Sequence, residues 1–156
     1  MDSFKEIKEL FNFSIPEIIN SIVLDNSQEI IELNQIEQLQ EGVDALDQRI
    51  KTISAEEQGA GNVYGFRSIA ERSAAGLQTD NVDLKITGAL WASAKVVKVS
   101  KGWDIKYDWS IHGEDVRDHF DSKYDFAGLT PGNTEVFVYD TIIPELHKRV
   151  RAKLNV

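Results

Sequence analysis

The chain has 156 residues, 42% hydrophobic and 28% charged, with 17 Lys and Arg against 26 Asp and Glu and a formal net charge of −9. Such a length and balance fit one folded domain with a real core, and exclude wholesale disorder and a fibrous repeat. The absence of cysteine removes disulfide frameworks, thiolate nucleophiles and cysteine-bound metals, the acidic balance argues against gripping many phosphates, and no apolar run approaches the roughly 20 residues of a membrane span.

The amino terminus, MDSFKEIKELF, lacks the basic region and small-residue cleavage site of a secretory signal, so synthesis in the cytosol is expected. Ser3 and Glu6 have capping-box spacing, and Phe4, Ile7, Leu10 and Phe11 predict a first helix to about Asn12. Ser14 and Glu17 repeat the device. Ile15, Ile19, Ile22, Ile30, Leu33 and Ile36 then recur at helical spacing up to Gly42, predicting a helix of about 28 residues and about 40 Å. A break near Leu24 to Gln28 is the alternative. Residues 42–66 are rich in Gly, Asp, Gln and Ser and form a long loop by this reading, with a helical turn at Ser54 to Gln58. GAGNVYG (59–65) lacks the lysine and preceding buried strand of a phosphate-cradling loop, and reads as a connector.

Phe66 to Ala75 predicts a short helix ended by Gly76, and Thr87-Gly88 opens another. Trp103, Ile105, Tyr107, Trp109 and Ile111 alternate with polar residues, which is the period of a strand with one buried face. Val97 and Val99 face them from a preceding strand, giving a hairpin at about 95–111. Matching Val99 to Trp103 requires a three-residue loop, Ser100-Lys101-Gly102. Thr130-Pro131 then begins a final helix with Phe137, Ile142, Ile143, Leu146, Val150 and Leu154 inward, and Pro144 is expected to kink or split it. Its basic end, HKRVRAK (147–153), suits the negative pole of a helix. The expected fold is α+β: a small antiparallel sheet against helices within one domain, comprising a helical region 1–41, a loop 42–66 and a core 67–156.

Two constellations invite chemistry. His112, Glu114, Asp115, Asp118, His119 and Asp121 are plausible ligands for a divalent metal in a hydrolase, but their spacing matches no zinc motif. A solvated acidic loop accounts for them equally. Trp91, Trp103 and Trp109 could stack on a ligand, although the latter two belong to the alternating strand. No catalytic residue, metal ligand or cofactor site is assigned.

LKITGALWASAKV, followed by a hairpin and a carboxyl-terminal helix, resembles an element of small neck and tail-completion proteins of tailed bacteriophages, with Leu84, Thr87, Gly88, Leu90 and Ser93 on the motif. LNQIEQLQEGVD (33–44) and FAGLTPGN (126–133) also resemble segments of phage structural proteins in the same order. Ile86 stands where an acidic residue often precedes Thr-Gly, and Ala127 interrupts a Phe-Gly pair. The resemblance implies a non-enzymatic virion protein, made in the host bacterial cytoplasm and assembled as a homo-oligomeric ring at the head-to-tail junction or tail top. It implies portal, adaptor or tail-tube proteins as partners, and double-stranded DNA that passes without sequence-specific binding. Trp91, Ile36 and Leu39 are candidate interface residues, and a non-viral adaptor domain is a further alternative.

Overall fold

The computed structural model describes residues 13–59, 63–84, 88–111, 114–120 and 122–154. The first expected helix (Phe4 to Asn12) therefore lies outside the described residues, as do Ala60 to Asn62, Lys85 to Thr87, His112, Gly113 and Asp121. The fold is α+β, and its residues group into two compact units, 1–27 with 134–156, and 28–133.

In the first unit, α1 (Ile15–Asp25) starts as its sequence dictates: the Ser14 side chain accepts a hydrogen bond from the Glu17 N–H at 3.4 Å, and Pro16 sits in the first turn. Ile18, Ile22 and Val23 are buried. The single long helix is not formed. At Asn26 (φ −112°, ψ 24°) both the main-chain N–H and the side-chain amide turn back onto the Ile22 carbonyl, at 3.0 and 2.8 Å, and α2 (Ser27–Asn34) begins afresh. Of the expected stripe, Ile22 and Ile30 are buried but Ile15 and Ile36 are exposed, and Ile18, outside the stripe, is buried.

The carboxyl-terminal helix of the first unit opens into a π segment (Val138–Ile142) just before Pro144, whose missing N–H cannot extend the regular ladder, and continues as a further helix (Ile143–Leu154). Arg149 joins it to α1 through Ser21 Oγ and the Asp25 carboxylate, both at 2.8 Å. Lys148 donates to Glu145 at 2.9 Å, which with Arg149 holds the Glu145 carboxyl below its ordinary range.

In the second unit, α2 runs into a π segment (Gln35–Leu39) and ends at Gly42, whose φ of +76° favours glycine. A Cβ there would meet the Asn81 side chain at 3.0 Å and the Val82 nitrogen at 3.3 Å, so this helix end needs glycine for space as well. The buried face of this stretch is polar. Asn34 and Gln38 are 0% exposed, and both donate to the Gly128 carbonyl, at 2.8 and 3.2 Å. The other end of each amide is also engaged: Asn34 Oδ1 accepts from the Tyr107 hydroxyl, and Gln38 Oε1 from the Thr130 N–H at 2.8 Å. Buried amides must be paired in this way or cost stability.

Residues 42–66 are not an excursion beyond the core. Ala45, Ile50, Val63 and Tyr64 are buried, and α3 (Ile53–Gln58) is capped by Thr52. Asp44, also 0% exposed, accepts three main-chain N–H groups, from Leu46 (3.0 Å), Gln48 (2.8 Å) and Asp125 (3.0 Å). Helix α4 (Phe66–Ala74) follows and terminates before Gly76, as expected. A four-residue helix, α5 (Ala89–Ala92), leads to β1 (Lys95–Val99) and β2 (Gly102–Lys106), which pair antiparallel.

The hairpin register differs by one residue from expectation: Val99 opposes Gly102, Lys98 opposes Trp103 and Val96 opposes Ile105. The loop is Ser100-Lys101 alone, because Gly102, at φ +133°, makes the chain reversal from within the strand. Strand β2 also ends at Lys106, and β3 (Ser110–Ile111) pairs instead with β4 (Glu114–Asp115). The aromatic alternation nonetheless holds, with Ile105 and Tyr107 buried between exposed or half-buried polar residues. Phe126, 2% exposed, gathers Trp109, Phe120 and Tyr124 at ring distances of 5.3, 5.5 and 6.2 Å. Helix α6 (Pro131–Phe137) starts with Thr130 Oγ1 accepting the Asn133 N–H at 3.2 Å, in the expected position.

Two outcomes follow from this packing. Tyr107→Phe leaves buried Asn34 Oδ1 without its donor, an expected loss of about 1–3 kcal/mol in denaturant unfolding at neutral pH. Burial also pushes the Tyr107 phenol from 10.0 up to about 12. Because the folded value is raised, the contribution is complete below pH 10.0 and is lost as pH rises toward about 12. The gap between wild type and variant should therefore narrow over that range. Deleting Gly42 to Gly59 removes Asp44, Ile50 and Ala55 from the core, and circular dichroism should show loss of cooperative folding.

Candidate functional site

The motif segment is built into the fold at each position that can be described. Leu84 is 6% exposed and lies at φ +54°, a left-handed conformation that costs a non-glycine residue about 1–2 kcal/mol. Thr87 is outside the described residues. Gly88, at φ +77°, precedes α5, and Leu90 is 3% exposed. The Ser93 hydroxyl donates to the Leu90 carbonyl at 2.6 Å and accepts the Asp108 N–H at 2.8 Å, tying the end of α5 to the chain beyond β2.

Trp91, a candidate interface residue, is half-buried. Its indole N–H donates to the Asp83 carbonyl at 3.0 Å, and its own carbonyl accepts the Gln35 amide at 2.8 Å. Of the two other candidates, Ile36 is 48% exposed, whereas Leu39 is 0% exposed. Leu39 therefore belongs to the core, on the face that carries Asn34 and Gln38, and offers no surface to a partner.

Asp83 anchors a second cluster. Its carboxylate accepts Arg72 at 2.9 Å, with the two side chains only 10% and 7% exposed, and Arg72 also donates to the Gln78 carbonyl at 2.9 Å. The Arg72 guanidinium lies 4.6 Å over the Tyr64 ring. Burial raises the Tyr64 phenol well above its ordinary range. These contacts are chemically quiet: each charge is met by its opposite, and they tie α4 to the irregular chain that leads to Leu84.

The proposed metal ligands are not brought together among the described residues. Asp115 Oδ1 caps the turn Val116–His119 by accepting the Arg117 N–H at 2.9 Å, and Asp118 is exposed. The side chains of Glu114 and His119 lie outside the description along with His112 and Asp121. Among the described residues no group of three or more His, Asp and Glu could hold a metal ion.

The sheet edges differ. The outer side of β2 is engaged by its own chain, with the Ile105 N–H donating to the Ala127 carbonyl at 2.7 Å. Among the described residues no main-chain hydrogen bond reaches β1 from any neighbour other than β2. Alternate N–H and C=O groups of β1 thus point away from the sheet. No protein family, curated protein or solved structure matches the chain.

Ser93→Ala should lower stability by about 0.5–1.5 kcal/mol. Hydrogen exchange should show the Asp108 amide losing protection while the Ile105 amide keeps it; equal protection at Asp108 would show that the hydroxyl does not hold this junction.

Proposed function

We propose that this protein is a non-enzymatic structural component of a tailed-bacteriophage virion, forming a homo-oligomeric ring at the head-to-tail junction or the top of the tail. The observation that carries the reading is that, among the described residues, the outer edge of β1 receives no main-chain hydrogen bond while that of β2 does. A two-stranded sheet is marginal alone, and an open edge gains stability by pairing with another chain. The resemblance supports the same reading, because the residues that carry it are used for scaffolding: Asn34, Gln38, Leu39 and Asp44 in the first segment, Leu84, Leu90 and Ser93 in the second, Phe126 and Gly128 in the third. Exposed Ile36, Leu46 and Ile53 add apolar surface on the same unit. The acidic balance suits a passage through which DNA moves without adhering, since like charges repel.

Ring partners in this reading are other copies of the chain, with portal, adaptor or tail-tube proteins above and below. Native mass spectrometry of the purified chain, alone and mixed with a tail-tube protein, should show a closed oligomer. A persistent monomer in both samples would refute the proposal.

A further inference from the structure

The β1–β2 hairpin carries a charge opposite to that of the chain around it. Residues 95–106 contain Lys95, Lys98, Lys101 and Lys106 against Asp104 alone, in a protein of net charge −9. All four lysines are exposed, and none forms an ion pair among the described residues. Lys95 and Lys106 are moreover directly opposite each other across the ladder. Facing like charges destabilise a strand pair, so the isolated hairpin is electrostatically unfavourable.

We propose that the basic hairpin docks, through the open edge of β1, onto an acidic segment of a second copy of this chain. This rests on the ring reading and specifies its contact. The open edge favours a protein as the occupant, because an extended backbone matches the spacing of its outward N–H and C=O groups along the whole strand. Charge selects which surface of that protein. Pairing β1 with β1 of a second copy would set four lysines, Lys95 and Lys98 of each, on one short ladder, whereas the remainder of the chain is acidic and offers carboxylates. The contact is accordingly heterologous, head to tail, and this is the class of contact that closes into rings.

The test compares the full-length wild type with Lys95→Gln, Lys98→Gln, Lys101→Gln and Lys106→Gln combined, by native mass spectrometry and by sedimentation at low and high salt. The variant's thermal midpoint should equal or exceed that of the wild type, because the Lys95–Lys106 repulsion is gone. Its assembly should weaken by at least about ten-fold, and added salt should weaken wild-type assembly in the same direction. Hydrogen exchange on the wild-type ring should show protection of the Val96 and Lys98 amides, which point away from β2 and lack protection in the free subunit, a result independent of how the variant folds. A variant that assembles like wild type, or unprotected β1 amides in the ring, overturns this contact while leaving the ring intact. Loss of DNA retention in a gel with assembly unchanged overturns it in favour of phosphate binding. A wild type that never assembles removes the ring reading as well.

Discussion

The carbonyl of Gly128 is the point on which the larger unit is organised. Asn34 and Gln38 converge on it, and each uses its remaining amide atom to hold another element, the Tyr107 hydroxyl in one case and the Thr130 N–H in the other. A helix, the strand-bearing region and the entry to α6 are thus joined through buried hydrogen bonds in a low-dielectric interior. Such a network is strong when complete and costly when any member is absent. It also fixes the chain next to Ala127, whose carbonyl accepts the Ile105 N–H of β2.

Features set by neighbouring residues were legible in the sequence. The caps at Ser14 and Thr130, the helix ends at Gly42 and Gly76, and the aromatic alternation through Ile105 and Tyr107 each depend on a few consecutive positions. The interior role of Asn34, Gln38 and Asp44 was hidden, because periodicity counts apolar residues and these are polar. Residues 42–66 escaped for a related reason: Ile50, Val63 and Tyr64 are buried on irregular backbone, where no period marks them. The hairpin register failed by one residue because Gly102 reverses the chain from a paired position.

Of the candidate site, Leu84 and Leu90 are apolar and buried, as their residue types suggest, while the two hydrogen bonds of Ser93 depend on the tertiary fold. Leu39 was misplaced because apolar spacing alone does not distinguish the two sides of a helix whose inward face is made of amides. The lysines of the hairpin were visible as residues. Their significance required the register, which sets Lys95 against Lys106, and the absence of an ion pair to any of them among the described residues.

One small bond bears on how this chain is wired. Asn133 Nδ2 donates to the Leu33 carbonyl at 3.1 Å, close to the two limits of the 28–133 unit. The stem of the unit is therefore zipped shut where its backbone enters and leaves. Seen from the flanking segments, the intervening polypeptide behaves as a short spacer, and the entropy of closing so large a loop is met inside the unit itself.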